Sequence, residues 1–381
     1  MNVVNENKNF LYLDHAASST MFSEVNKYIF DFNSEFFGNP SSIHKAGINL
    51  TKEIEKARDT IANIYKVNSE SVFFTSGGTE ANNWIIYSLL LKHRNENRKI
   101  VLTSEIEHPS VLKPLEFYSE LFGYEVKKVK TMSNGQINLD HLNSLASDKV
   151  LFCTVMQVNN ETGSVLQIKE IGEVCKKYSI LFHVDACQGF LKCKLDNENV
   201  HFITINSHKV HGPKGIGALI STNTSILLPL MIGGGHEMGY RSGTLNASAI
   251  VGFKKAIEIF LEKQNQFLKI NFKKILLDRL MHEIDGFNLN GSLENSSDYI
   301  LNFSIDGVHA KEIFKYLNGN NIFVSTSSAC SSRLFKPSYV LEAMGISEKQ
   351  NFEAIRISFS PEQGIKEIDY FMNTLKEFLA K

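Results

Sequence analysis

Two short runs near the middle of the chain carry side chains that could do chemistry together: His183-Val184-Asp185-Ala186-Cys187-Gln188 and Asn206-Ser207-His208-Lys209. Each follows an apolar run read as a buried strand, Ile180–Val184 and Phe202–Ile205, so Asp185 and Lys209 emerge near strand ends. A carboxylate there can keep a pyridine nitrogen protonated and strengthen the ring as an electron sink. It serves equally well as a helix N-cap. A lysine in a crowded cleft loses hydration, and its freed amine becomes a candidate for a Schiff base. Most lysines are solvated surface charges, so Lys209 needs its neighbours to make that case. His183, Asp185, His208 and His211 could instead converge on a metal, but their spacing matches no standard motif, and metal ranks below the Schiff base.

Two other runs add candidates. In Ser76-Gly77-Gly78-Thr79-Glu80 a strand ends, two glycines permit a tight turn, and a helix starts with Thr79 near its N-cap. Free N–H groups and the helix dipole suit a phosphate there, although taken alone the run fits a plain capped helix better. GxGxxG and Walker A patterns are missing from the sequence, which disfavours a dinucleotide or an NTP. The run Ser325-Thr326-Ser327-Ser328-Ala329-Cys330-Ser331-Ser332 is too small and hydroxylated to build a core, and is expected to form an exposed, mobile loop. A free thiol is costly to keep in such a place unless it reacts, so Cys330 is read as a nucleophile. The other cysteines, Cys153, Cys175, Cys187 and Cys193, sit in apolar or strand-like surroundings and read as inert core thiols; no pair has CxxC spacing.

The elements that must position these residues follow a parallel α/β rhythm from about Val72 to Ile220. The strand candidates are Val72–Thr75, Ile100–Thr103, Val150–Val155, Ile180–Val184, Phe202–Ile205 and Ile216–Ile220, with helices such as Ala81–Leu91 and Ile168–Tyr178 between them. In an open parallel sheet, ligands bind beyond the carboxyl ends of the strands. The residues just past these runs include Glu107-His108 and Asn159-Asn160-Glu161, which complete a polar, ionisable ring along one sheet edge. A helix-like segment begins after about Lys254 and leads to a β-rich run, Tyr299–Ile305, which places a domain boundary near its start.

The chain has 381 residues, more than one ordinary core needs. Its 40 Lys and Arg balance 41 Asp and Glu, which argues against a nucleic-acid footprint and against a polybasic membrane patch. Met1 to Lys8 is polar and lacks the apolar core of a signal peptide, and no apolar run is long enough to span a bilayer. A soluble, cytoplasmic protein is expected.

Taken in order, the motifs form a set. Tyr12-Leu13-Asp14-His15-Ala16-Ala17, Phe37-Gly38-Asn39-Pro40-Ser41-Ser42, the Gly-Gly-Thr-Glu turn and Glu107-His108 come first. Asn159-Asn160-Glu161-Thr162-Gly163, His183-Val184-Asp185, Ser207-His208-Lys209, Arg241-Ser242-Gly243-Thr244-Leu245, Ser328-Ala329-Cys330-Ser331 and Pro337-Ser338-Tyr339-Val340-Leu341 follow. The set resembles the cysteine desulfurases of the NifS/IscS type, relatives of the class V aminotransferases, from Leu11 to about Ser360.

The resemblance implies an α/β protein of pyridoxal-phosphate fold type I. Its large domain would hold a mostly parallel seven-stranded sheet sandwiched by helices, and a small α+β domain would follow. The corresponding division is residues 1–20 for an N-terminal segment packing with the small domain, 21–255 for the cofactor-binding domain, and 256–381 for the small domain with the Cys330 loop. The implied activity converts L-cysteine to L-alanine, forms a persulfide on Cys330, and passes the sulfur to an acceptor such as an Fe–S scaffold protein or a tRNA-thiolation partner.

By the same resemblance Lys209 binds pyridoxal 5′-phosphate covalently, Asp185 pairs with the ring nitrogen, and His108 stacks on the ring and assists proton transfer. Gln188 contacts the ring hydroxyl with Asn160 beside it. Gly78, Thr79 and His208 bind the phosphate, and Thr244 reaches it from the second subunit of a homodimer. Arg356 clamps the substrate carboxylate in a bidentate way, with Asn39 nearby. Two positions depart from the family pattern. Asn206-Ser207 stands where Ser-Gly is usual, so Asn206 must bind phosphate with an amide, and Gln157 stands where His is common before Val-Asn-Asn. The alternatives are a related lyase or transaminase acting on selenocysteine or a sulfinate, a metal-dependent hydrolase, and a non-catalytic sulfur carrier or scaffold partner.

Overall fold

The computed structural model describes residues 10–326 and 336–381, so Cys330 and its immediate neighbours lie outside the described residues. In chain order the strands among the described residues are β1 (Leu11–Tyr12), β2 (Val72–Thr75), β3 (Ile100–Ser104), β4 (Glu125–Val129), β5 (Val150–Met156), β6 (Leu181–Asp185), β7 (Phe202–Asn206), β8 (Gly217–Ser221), β9 (Phe287–Leu289), β10 (Ile300–Ile305), β11 (Ile322–Phe323), β12 (Ser325–Thr326) and β13 (Ile355–Ser358).

Seven of them form one sheet in the order β2-β8-β7-β6-β5-β3-β4. The pairs from β4 through β7 are parallel, whereas β8 runs antiparallel to both β7 and β2. The mostly parallel seven-stranded sheet expected from the sequence is therefore present. Its interior strands are buried almost from end to end because both faces are covered, and all seven residues of β5 are buried. The period-2 alternation sends Phe73, Val101, Phe202 and Leu219 to one face, under the helices Gly78–Lys92 and Pro109–Phe122. Phe74, Leu102, Ile203 and Ile220 go to the other, under the helices Lys45–Tyr65, Ile168–Lys177 and Ala247–Ile270. The strand that the sequence pattern did not reveal is β4, which reads Glu-Val-Lys-Lys-Val. It is an edge strand, and its charges are what an exposed edge needs against pairing with another chain.

The helix Ala247–Ile270 starts earlier than the composition near Lys254 suggested, because Asn246 caps it by accepting a hydrogen bond from the Ala249 N–H at 3.2 Å. The 255/256 division thus falls within one unbroken helix. Beyond it, β12-β13-β10-β9 make an antiparallel four-stranded sheet.

Residues 11–16 close against the later strands β11 and β13. Leu11–Tyr12 pairs in parallel with Ile322–Phe323. The Ser358 N–H donates to the Leu13 carbonyl at 2.8 Å, Ser358 Oγ accepts from the Ala16 N–H at 2.8 Å, and Gln363 Nε2 donates to the Tyr12 carbonyl at 2.8 Å. These bonds lay residues 13–18 across the carboxyl ends of the large sheet. Among the described residues no helix is long and apolar enough to cross a membrane.

Candidate active site

A cavity of about 580 Å³ opens where the carboxyl ends of the strands converge. Each wall is the first stretch past a strand: Ser76–Glu80 past β2, His108 past β3, Asn160 past β5, Asp185–Gln188 at the end of β6, and Asn206–Lys209 at the end of β7. Ala16, Ala17 and Ser18 of the N-terminal segment close the remaining side.

Two glycines make this geometry feasible. Gly77 has φ +150°, a conformation L side chains rarely adopt. A Cβ on Gly217 of β8 would stand 2.8 Å from the Gly77 Cα, so the turn after β2 can approach β8 only because Gly217 has no side chain.

Asp185 is buried, and both carboxylate oxygens are engaged. Oδ1 accepts from the Cys187 N–H at 3.0 Å and Oδ2 from Asn82 Nδ2 at 2.7 Å. The same amide donates to Ser110 Oγ at 2.9 Å, and that oxygen lies 2.8 Å from His108 Nδ1. The Ser110 N–H donates to His108 Nδ1 as well, at 3.1 Å, so Nδ1 is the ring's acceptor and neutral His108 carries its proton on Nε2. Burial lowers the His108 pKa, with Lys209 adding to the shift and Asp185 opposing it.

Behind His108 lies Glu107, fully buried. Its Oε1 accepts from the Met156 N–H at 2.9 Å and from Ser104 Oγ, and burial pushes its pKa up to about 8. Lys209 Nζ donates to the carbonyls of Ala16 and Ala17, the latter at 2.7 Å. His208 stands beside Ser18 Oγ at 3.3 Å, and burial followed by the charge of Lys209 lowers its pKa to about 3.

Of the positions singled out in the sequence, Gly78, Thr79, His108, Asn160, Asp185, Gln188, Asn206, His208 and Lys209 line this one cavity. Arg356 does not line it. It projects from β13, buried to 1 %, and donates to the Asn160 carbonyl at 3.0 Å and to Asp14 Oδ1 at 2.6 Å, so its guanidinium already has an anionic partner just behind the wall. Asn39 is exposed and its side chain accepts from the Ser41 N–H, away from the cavity. Thr244 is exposed on a loop tied to the cavity rim by the bidentate Arg241–Glu80 pair, at 2.8 and 3.1 Å.

His183 is held by Thr154 at 2.7 Å and by Thr204 at 3.0 Å, and His211 contacts the Thr20 carbonyl, so the histidines named as rival ligands point to separate partners. Among the described residues no group of three or more His, Cys, Asp or Glu is arranged to hold a metal ion.

Three contributors escaped the sequence reading. Asn82 and Ser110 form the link just described. An asparagine next to the apolar run Trp84–Ile86 of the helix Gly78–Lys92 was the available signal, since an amide buried there needs a partner. Cys187, read as an inert core thiol, lines the cavity instead, because it falls two residues past Asp185 in the turn and not on the strand.

The wall fits a phosphorylated pyridine aldehyde. The buried Gln188 Oε1 has no partner and suits a ligand hydroxyl, while Gln188 Nε2 is spent on the Ala16 carbonyl at 2.7 Å. Asn206 Oδ1 is likewise buried without a partner. For a phosphate the amide must present Nδ2, which is the cost of having Asn where the family pattern has Ser. Gly78, buried at the helix start, has no room for a side chain, since a Cβ there would meet Cys187 Sγ at 2.4 Å.

A fold of this type with a strand-end lysine, a strand-end carboxylate and a capping-turn cradle defines a class of enzyme, and the chain belongs to it: the class-V aminotransferase family matches residues 11–371. Its relatives narrow the class. The chain is 32 % identical to "Cysteine desulfurase IscS" of Clostridium botulinum, covering 97 % of this chain and 94 % of that one. It is 36 % identical to "Cysteine desulfurase IscS" of Pasteurella multocida, covering 97 % and 93 %. Among solved structures, a "NIFS-LIKE PROTEIN" superposes with a TM-score of 0.90 at 32 % identity, over 97 % of this chain and 99 % of the other. "SspA in complex with cysteine" superposes with a TM-score of 0.80, also at 32 % identity, over 92 % and 99 %.

Proposed function

We propose that the protein is a pyridoxal 5′-phosphate-dependent cysteine desulfurase that converts L-cysteine to L-alanine and takes the sulfur as a persulfide on Cys330. The observation that carries the reading is the single cavity shared by Lys209, Asp185 and His108, with an unpartnered buried acceptor on Gln188 in its wall.

Lys209 would hold the cofactor covalently, Asp185 its ring nitrogen and Gln188 its ring hydroxyl, with Asn160 alongside. Gly78, Thr79, Asn206 and His208 would hold the phosphate, with Thr244 supplied by the second subunit of a homodimer. When bound, the cofactor supplies an electron sink for the carbanionic character that develops on the substrate.

The chain's own residues do the rest. The paired hydrogen bonds from Asn82 and Cys187 fix the orientation of the Asp185 carboxylate. Burial keeps His108 neutral, with a proton to give at Nε2. Arg356 would receive the substrate carboxylate, which must share the guanidinium with Asp14; Asn39, assigned beside it by the resemblance, lies on an exposed loop of the same chain. In the net reaction the sulfur atom leaves Cβ of the substrate and bonds to Cys330 Sγ, and Cβ receives a proton, so L-alanine departs and the enzyme holds the persulfide. That sulfur passes on to an acceptor such as an Fe–S scaffold protein, in the cytoplasm.

The division into residues 1–20, 21–255 and 256–381 belongs to this proposal. Its support is that residues 11–16 pair with β11 and β13.

The test is spectroscopic. The purified protein should be yellow, bleach with borohydride, and yield a labelled peptide in which the adduct is on Lys209. A colourless protein that takes up no pyridoxal 5′-phosphate would overturn the reading.

A further inference from the structure

Two lysines stand near the segment that closes the cavity. Strands β6 and β7 run side by side in parallel, and the turns after them carry Lys192 and Lys209. Lys209 lines the cavity, where its amine donates to the carbonyls of Ala16 and Ala17. Lys192 does not line it. Its Nζ lies over the face of Tyr299, 5.5 Å from the ring centroid, which suits a cation.

Lys192 is 8 % exposed, and among the described residues its amine makes no hydrogen bond or ion pair. A buried ammonium without such partners is costly. The ionisable groups around it bring no relief. Burial lowers the pKa of His15, His208 and His211, and the charge of Lys192 adds to the shift in each, with His208 and His211 brought to about 3. Burial lowers the pKa of Lys192 itself to about 7; the charge of Lys209 adds to that, and the Cys193 thiol opposes it. On its own side Lys209 shares the cavity with Asp185, Glu80, His108, Cys187, His208 and Lys214. Both carboxylates are engaged, Asp185 by Asn82 and Glu80 by Arg241.

The backbone holds Lys192 in place. Leu191 sits in the left-handed region at φ +61°, an uncommon state for a branched residue that persists only when its surroundings fix it. Gln264 Nε2 donates to the Leu191 carbonyl at 2.7 Å, and Gln157 Nε2 donates to the Cys193 carbonyl at 3.1 Å.

Two ammonium groups in one desolvated neighbourhood repel, so a proton on either makes a proton on the other harder to hold. We propose that Lys192 is a positioning residue for the reaction: its charge, behind the wall, favours the unprotonated form of the Lys209 nitrogen. The inference rests on the reading that Lys209 carries the cofactor. Once Lys209 is bonded without a proton, the repulsion on Lys192 is gone, and Lys192 keeps its own proton to higher pH. L-Cysteine arrives as an ammonium and must shed a proton before its amine can react. One proton can then pass from that ammonium to the Lys209 nitrogen.

The cofactor's absorption reports protonation of the Lys209 nitrogen, so a spectrophotometric pH titration of the holoenzyme tests the proposal. In Lys192→Met, which keeps an apolar stem and removes the charge, the nitrogen should hold its proton to a pH about one unit higher, a roughly tenfold change. Lys192→Arg, which keeps the charge, should titrate as wild type does. A Lys192→Met midpoint equal to that of wild type would overturn the proposal. So would a shift in Lys192→Arg as large as in Lys192→Met, since it would trace to packing and not to charge. Coupling is reciprocal, which gives a second measurement on the full chain stripped of cofactor. By 13C NMR of the lysine Cε carbons, with the signal assigned by its loss in Lys192→Arg, Lys192 should titrate at higher pH in Lys209→Gln than in wild type. Equal midpoints there sink the coupling between the two lysines, whereas a protein without a chromophore sinks the cofactor reading, so the two failures are distinct.

Discussion

Asn82 Nδ2 lies 2.7 Å from Asp185 Oδ2 and 2.9 Å from Ser110 Oγ, so one buried amide ties the strand-end carboxylate to the hydroxyl that fixes His108. Two of the titratable groups of the site, Asp185 and His108, are thereby held by a residue with no charge of its own. Replacing Asn82 by Ala strips Asp185 Oδ2 of its hydrogen bond and costs about 1–3 kcal/mol at a buried carboxylate. Cofactor dissociation, followed by absorbance on dilution, should be roughly five- to 150-fold more favourable in Asn82→Ala, the range that ~1–3 kcal/mol converts to. Unchanged retention would show that Asp185 does not need the amide.

Gly78 and Cys187 form a test pair. A Cβ at position 78 would meet Cys187 Sγ at 2.4 Å, and Gly78 does not have the positive φ that would penalise Ala by itself. Gly78→Ala should therefore lose cofactor affinity through a clash with one sulfur atom, and Gly78→Ala/Cys187→Ala should recover most of it. Cofactor titrations of the two singles and the double give the coupling directly. Additive losses would assign the effect of Gly78 to something other than Cys187.

Glu161 supplies a pH dependence. Burial raises its pKa to about 7, with the Ser338 hydroxyl at 2.5 Å and Arg356 opposing the shift. A carboxyl with a folded pKa above its unfolded one binds more protons folded than unfolded. Stability is therefore greatest at low pH in this window and falls as pH rises from about 4.5 to about 7, by ~3 kcal/mol for this group. Glu161→Gln, which keeps an acceptor for Ser338, should flatten that fall. Urea denaturation of wild type and variant at pH 5 and pH 8 measures it, and a parallel pH dependence in the two proteins contradicts it.

Much of the site was legible in the sequence because parallel sheets turn chain order into geometry. Once Ile180–Val184 and Phe202–Ile205 are read as strands, Asp185 and Lys209 have nowhere to go but the same edge. What was not legible came from contacts between distant parts of the chain. The engagement of Arg356 by Asp14 joins positions 342 apart in sequence, and no local pattern encodes it. The strand β4 was hidden for a different reason: edge protection makes it charged, so it lacks the apolar signature by which its neighbours were found.

Cys330 separates two halves of the proposed reaction. Cys330→Ala should keep the cofactor's absorption and its spectral response to L-cysteine while losing release of sulfide in the presence of a reductant. Undiminished turnover of L-cysteine in that variant would remove Cys330 from the mechanism.

The closure of residues 11–16 against β11, β13 and Gln363 has a consequence for biosynthesis. Ala16 and Ala17, which receive the Lys209 amine, leave the ribosome long before β11 and β13, the strands that pin them. A nascent chain can complete the large sheet long before it can complete this wall. The wall around the Lys209 amine is therefore finished only once β13 has been made, and a chain truncated before residue 355 would be left with an open-sided pocket.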